Sequence, residues 1–216
     1  MEYDYFIEPP FYGTGEVLAW DSAALLENLN RERLFKAWWC GGKLEESAYE
    51  NALKEEFTPA FERLSDVIVK DGLVDARGFY GFFPVIAENE NIVILDPSDF
   101  HTELASFTFP RTEKKGLSLA DYIRPEGDIL SVQAVTIGGK LSLRCREFFQ
   151  NENRYSDGFY LNGTANFLVE TIADKTSAEI RRALGLPHDA GRRYSFGYPG
   201  LPGLEEQKRL LELMSV

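Results

Sequence analysis

The residues best suited to chemistry lie near the C-terminus, in Arg193-Tyr194-Ser195-Phe196-Gly197-Tyr198-Pro199-Gly200-Leu201-Pro202-Gly203. A stretch so rich in Gly and Pro fixes the backbone while leaving N–H and C=O groups outside regular pairing. It offers one guanidinium and three aromatic rings. Aromatic faces stack on flat heterocycles, and a guanidinium grips a carboxylate with two parallel hydrogen bonds. The competing reading is a packed surface loop. A second candidate is Glu170 with Asp174, one helical turn apart. Two carboxylates at i,i+4 repel by a few tenths of a kcal/mol, a cost that a cationic neighbour removes. The competing reading is a solvated helix face with Lys175 and Arg181 as partners.

Other motifs carry little. Gly138-Gly139-Lys140 lacks the upstream glycine and the trailing Ser/Thr of a phosphate loop and reads as a turn. Gly13-x-Gly15 is a lone glycine pair. His101 and His188 stand far from each other and from Cys40 and Cys145, so the ligand spacing of a zinc site is missing and no metal is expected. There is no G-x-S-x-G. No catalytic acid, base or nucleophile is assigned. Both cysteines are expected to be reduced packing residues, and the Asn162-Gly163-Thr164 sequon to be inert.

The elements that must hold these residues follow from periodicity. The first fifteen residues, rich in aromatics, Pro and Gly from Phe6 to Gly15, read as an extended lead-in. Asp21 or Ser22 caps a short helix bearing Leu25, Leu26 and Leu29. Residues 44–70 form a longer helix with Leu53, Phe57, Phe61, Leu64 and Ile68 on one side, kinked at Pro59. The period then changes. Strands are expected at 78–85 and 91–95, joined by Glu88-Asn89-Glu90, at 106–109, ended by Pro110, and at 128–137, the last one buried. Residues 159–184 form the clearest helix, with Phe167, Thr171, Asp174 and Ala178 along one stripe and Gly185 and Pro187 as its stop. After a loop over 185–203, residues 205–214 form a short final helix. Helices at both ends around central strands predict an α+β fold, a twisted antiparallel sheet flanked by helices, as a single domain over residues 1–216.

Composition narrows the partners. The 216 residues include 44% hydrophobic and 13% aromatic residues, a globular balance. Lys and Arg number 23 against 35 Asp and Glu, a formal charge of −12. Nucleic acid and anionic membranes reward clustered cations, so neither is expected as a partner. The N-terminus has no basic stretch followed by an apolar run, and no apolar segment is long enough to span a bilayer. The cytoplasm is the expected compartment.

At Arg193–Pro202 the sequence resembles the activation domain of cobalamin-dependent methionine synthases, where this stretch reads R-x-x-x-G-Y-P-A-C-P. The resemblance runs in order along the chain. Pro10-Phe11-Tyr12-Gly13-Thr14 is similar to P-F-[FW]-G-T, and Leu34-Phe35-Lys36 through Trp39 to L-F-K…W. Tyr80-Gly81-Phe82-Phe83-Pro84 resembles Y-G-[YL]-F-P, followed by Ile92 to Asp96 as I-x-I-x-D. Phe109-Pro110-Arg111 resembles F-P-R-Q, Ser118 to Tyr122 resembles C-L-A-D-[FY], and Val135-Thr136-x-Gly138-Gly139 resembles V-T-x-G-G. Tyr160-Leu161 opens the long helix, whose Glu170-x-x-Ala173-Asp174 is similar to E-A-F-A-E.

The resemblance implies an S-adenosylmethionine site. Arg193 would hold the ligand carboxylate and Glu170 its α-amino group. Backbone around Ser195 and Gly197 would meet the adenine, and Tyr198 and Pro199 would line the pocket. It further implies reductive methylation of cob(II)alamin carried by a partner methionine synthase core, with a flavodoxin-type reductant as electron donor. Corrinoid docking without S-adenosylmethionine binding, and service to another corrinoid methyltransferase, are the alternatives. Departures from the pattern are Gly200-Leu201 for A-C, Gly203 for an acidic residue, Ser177 for a histidine of the long helix, and Ile7 beside Glu8 where some members carry a ligand-contacting Asp. Members continue beyond the position of Val216, so a stand-alone, C-terminally short form is expected.

Overall fold

The structure is a computed structural model and describes residues 7–216. The absence of a signal peptide and the first aromatic of the lead-in were read on Met1 to Phe6, which lie outside the described residues. In chain order the elements are β1 (Gly13–Thr14), β2 (Leu18–Trp20), α1 (Ser22–Glu27), α2 (Arg31–Arg33), α3 (Glu46–Ala52), α4 (Thr58–Lys70), β3 (Ala76–Glu88), β4 (Asn91–Leu95), β5 (Glu103–Thr108), β6 (Asp128–Thr136), α5 (Lys140–Phe149), α6 (Tyr155–Ala183) and α7 (Gln207–Met214). The six strands form one open sheet in the order β1-β3-β4-β5, with β2 and β6 also paired to β3. Pairing is antiparallel between β3 and each of β1, β2 and β4, and between β4 and β5. The fold is α+β.

The chain divides into two compact units. One comprises residues up to Val17, Phe79–Ala134 and Thr176–Val216; the other comprises Leu18–Gly78 and Val135–Lys175. The strands β3 and β6 and the helix α6 each run from one unit into the other.

In the first unit, β3 and β4 are joined by Asn89-Glu90, and Asn89 takes φ 58°, the left-handed region that asparagine tolerates in tight hairpins. Where β1 crosses β3, a methyl group on Gly81 would stand 2.5 Å from the Gly13 carbonyl oxygen, so only glycine permits this approach. Phe83, Val85, Ile92, Ile94, Phe107 and Met214 anchor the core of this unit. The Thr14 hydroxyl donates to the Met214 carbonyl at 3.0 Å, tying β1 to the end of α7. On β6 only Val132 is buried, with its neighbours half-buried or exposed. The expected buried strand is therefore a half-covered one, its place in the sheet fixed by pairing with β3.

The second unit is built on aromatics. Phe35 lies 4.9 Å from Trp39, 5.6 Å from Phe57 and 6.0 Å from Phe61, centroid to centroid. Trp39 packs on Tyr160 at 4.4 Å and its Nε1–H donates to the Tyr160 carbonyl at 2.9 Å. This is the joint work of the Leu34-Phe35-Lys36…Trp39 and Tyr160-Leu161 segments. Gly163 is required beside them, because a Cβ there would meet Trp39 Cδ1 at 2.9 Å. The sequon threonine, Thr164, is buried on α6 with its hydroxyl donating to the Tyr160 carbonyl. Asp21 is the N-cap of α1, accepting from the Ala24 N–H at 2.8 Å.

Two local expectations need correction, and the stripe on α6 needs its buried side assigned. The helix over 44–70 begins at Glu46 and is interrupted by a wide turn at Leu53–Phe57, directly before Pro59, whose missing N–H is harmless at the start of α4. On α6, Phe167, Thr171, Asp174 and Ala178 share one side as expected, but only Phe167 of them is buried; the buried side is Leu161, Ala165, Leu168, Ile172, Thr176 and Ile180. α6 is covered over more than one side, which blurs the period. And Cys40 is exposed, in the left-handed region at φ 62°, whereas Cys145 is buried in the core.

Both thiols are free. Burial pushes the Cys145 thiol up to about 11, leaving almost no thiolate at neutral pH. A disulfide reagent such as DTNB is expected to modify Cys40 promptly in the native protein and Cys145 only on unfolding. Two equally fast thiols would contradict the packing of α5.

Candidate functional site

The loop that carries the candidate residues begins at a firm helix stop. Past α6, Gly185 adopts φ 64°, with its N–H donating to the Arg182 carbonyl at 3.1 Å and the Leu186 N–H to that of Arg181 at 2.9 Å. Arg181 Nε then donates to the Ala190 carbonyl at 2.6 Å and holds the next stretch against the helix. From Arg193 onward the backbone bonds to itself. The Gly197 N–H donates to Pro202 O at 2.7 Å, and the Leu201 N–H to Tyr198 O at 3.0 Å. Gly197 and Gly200 take φ 84° and 80°, values that side chains with a Cβ strain to reach.

The side chains divide by role. Phe196 and Leu201 pack on the core of this unit, with Phe196 5.7 Å from the Phe107 ring. Tyr194 and Tyr198 turn outward, 58% and 66% exposed. Ser195, Gly197 and Pro199 are exposed, and Arg193 is half-buried. The loop is thus a pinned backbone presenting two phenol faces, with the half-buried Arg193 at its start. Such a surface can stack a planar ring and pair a carboxylate.

Glu170 and Asp174 lie on the stretch of α6 that belongs to the second unit, Glu170 half-buried and Asp174 exposed. Arg193, Ser195, Gly197, Tyr198 and Pro199 are brought together in the first unit by the loop itself. Glu8 is an exposed residue of the first unit; Tyr12 near it has a raised phenol, through burial first and the Glu8 charge second. Ser177, standing where the family pattern has histidine, is buried and donates to Gln133 Oε1 at 3.2 Å.

A third group of residues, quoted from the sequence without a role, underlies the loop. A methyl group on Gly200 would stand 2.8 Å from Thr112 Cγ2 and 3.5 Å from the Pro110 carbonyl oxygen. The segment from Phe109 to Tyr122 is itself braced. Arg111 donates twice to Asp121, Nη1 to Oδ2 at 2.7 Å and Nη2 to Oδ1 at 2.9 Å, and once to the Gly116 carbonyl at 2.8 Å. Ser118 Oγ donates to the Phe109 carbonyl at 2.6 Å and accepts from the Ala120 N–H, while Asp121 accepts from the Ser118 N–H at 3.0 Å. The Arg111 hydrogen bond, with that N–H, holds the Asp121 carboxyl below its ordinary range. The signal in the sequence was an Arg and an Asp on either side of a Lys-Gly turn.

Farther along the same unit, Asp99 closes a small turn. Its carboxylate accepts from the Thr102 hydroxyl at 2.6 Å and from the Thr102 and His101 N–H groups at 2.9 and 2.8 Å, which lowers it to about 2. A carboxylate below its unfolded value of ~3.9 stabilises the fold above that pH, and the contribution is lost as pH falls toward 2. Titration followed by NMR is expected to give an Asp99 midpoint near 2, with the turn loosening below it. A midpoint near 4 would mean the turn does not form in solution.

Among the described residues, no three His, Cys, Asp or Glu side chains gather as a metal site, and no helix is long and apolar enough to cross a membrane.

Comparison with known proteins places this arrangement. The family model for the vitamin B12 dependent methionine synthase activation domain matches residues 21–216. Methionine synthase of Mycobacterium tuberculosis (strain ATCC 25618 / H37Rv) is 29% identical over 241 residues, covering 95% of this chain and 20% of the relative. That of Mycobacterium leprae (strain TN) is 28% identical over 239 residues, with the same coverage. The chain therefore spans about a fifth of the length of these curated relatives. A crystal structure of the MetH reactivation domain bound to AdoHcy has the same fold, with a TM-score of 0.76 at 20% identity, over 98% of this chain and 72% of the other. With its motifs in family order, its sheet that of a reactivation domain and most of its length matched, the chain belongs to the family of vitamin B12 dependent methionine synthase activation domains.

Proposed function

We propose that the two units act as one activation domain that binds S-adenosylmethionine at the 193–203 loop and supports reductive methylation of cobalamin on a methionine synthase core, in the cytoplasm. The observation that supports this most is the loop: a backbone pinned by Gly197 and Pro202, two exposed phenol rings and a half-buried arginine. The related structure with AdoHcy bound points to the same ligand class. Arg193 pairs the ligand carboxylate, Glu170 the α-amino group, and backbone at Ser195 and Gly197 the adenine edge. Tyr198 and Pro199 line the site.

The chemistry asks for no acid or base from this chain. Cobalamin on the partner, once reduced by a flavodoxin-type donor, would supply the nucleophile for the sulfonium methyl, with the neutral thioether released. What the protein supplies is binding and orientation, with its acidic character suited to a ligand bearing an ammonium and a sulfonium. Reactivation on this reading requires the cobalamin partner.

Isothermal titration with S-adenosylmethionine, alongside S-adenosylhomocysteine, tests the reading. Saturable binding at micromolar to low-millimolar affinity is the expected result. Absence of heat, together with no thermal shift at millimolar ligand, would overturn it in favour of a docking module without ligand.

A further inference from the structure

The Arg111–Asp121 pair lies outside the set of residues assigned to the ligand, yet the loop that carries them rests on the segment it braces. Two contacts seat the loop. Phe196 packs on Phe107, the residue of β5 that runs into Phe109. The Gly200 turn sits so close to Thr112 that a single added carbon would collide with its Cγ2, and that carbon would lie in van der Waals contact with the Pro110 carbonyl oxygen. Between those contact points the 109–121 segment has no helix or strand to stiffen it before the short turn at Leu119–Tyr122. Its shape is held by the paired guanidinium and carboxylate, by Arg111 on the Gly116 carbonyl, by Ser118 on the Phe109 carbonyl, and by the Thr112 N–H on the Leu117 carbonyl at 2.9 Å.

We infer that Arg111 and Asp121 are positioning residues: their two-point pair fixes Pro110 and Thr112 as the seat of the Gly200 turn, and so holds the 193–203 loop in its ligand-ready shape. For affinity this rests on the function proposed above; for the loop itself it does not. Bidentate geometry matters here because it sets orientation as well as distance, which a single lysine contact does not. Glu90, 3.4 Å from Arg111 Nε, is the other carboxylate facing the guanidinium, and it lies outside the 109–121 segment. Without Asp121, Arg111 keeps an ionic partner and loses the one that closes the segment.

The test uses the whole chain and two readouts. The first is limited trypsin cleavage of the ligand-free protein at Arg192 and Arg193, followed by mass spectrometry, with the exposed Lys54 of the other unit as internal reference. Arg111→Ala and Asp121→Asn are each expected to raise the rate at Arg192 and Arg193 about tenfold relative to Lys54, with Arg111→Lys in between. Asp121→Asn keeps an oxygen for the Ser118 N–H, so it preserves the cap if Arg111→Ala fails to fold. The second readout is S-adenosylmethionine affinity by titration. If the competent loop falls to roughly a tenth of the population, the apparent Kd rises about tenfold. Unchanged cleavage at Arg192 and Arg193 in both variants overturns the inference. Failure of the wild-type chain to bind S-adenosylmethionine overturns only the proposed function, because the cleavage comparison still decides whether the pair holds the loop.

Discussion

Phe35→Ala is expected to destabilise the second unit by about 3–5 kcal/mol, the usual cost of removing a buried ring from a packed core. Phe35 is 2% exposed and touches Trp39, Phe57 and Phe61, so the cavity has rigid aromatic walls that cannot collapse easily. Tryptophan fluorescence reads this unit alone, since all three tryptophans, Trp20, Trp38 and Trp39, fall within Leu18–Gly78. Urea titration should show the fluorescence midpoint falling accordingly, with an unchanged slope. A loss under ~1 kcal/mol would mean that the cluster repacks around the smaller residue.

Arg193→Ala is expected to weaken S-adenosylmethionine binding by about 1.5–3 kcal/mol, the scale of a charge-assisted hydrogen bond, or roughly ten- to 150-fold in Kd. The melting temperature of the ligand-free protein should barely move, because the turn that follows Arg193 is closed by the Gly197 and Leu201 backbone hydrogen bonds. A large fall in that temperature would make Arg193 structural. Glu170→Gln should follow the same pattern more mildly, and equal affinity in that variant would remove Glu170 from the site.

Much of this was legible in the residues because it rests on local rules. Asn89 in a hairpin, Gly185 as a helix stop and Asp21 as a cap each act within a few positions of themselves. The turn within the 193–203 loop was visible for the same reason, since Gly197 and Gly200 impose its local bends, whereas its seat on the 109–121 segment is a long-range contact. What escaped notice depends on distant partners. Leu141, Cys145 and Phe148 mark the buried face of α5, but the residues between them are mostly polar, and the Gly138-Gly139 turn before them carries no helix-start signal. Asp174 shares a stripe with Phe167 on α6, but which stripe is buried is decided by the packing around Leu161, Leu168 and Ile172. The exposure of Cys40 follows from a left-handed backbone that composition does not reveal. The division into units was invisible because three of its four boundaries fall within β3, β6 and α6, where no linker composition marks them.

The bond from Thr14 to Met214 has a consequence for synthesis. The core of the second unit is complete in sequence once Ile172 has been added, whereas the first unit, begun earlier, waits for Met214 to fill its interior. In order of synthesis, the residues that pack the second unit are therefore all present before the first unit receives Met214, the residue that joins Phe83, Val85 and Ile94 in its core.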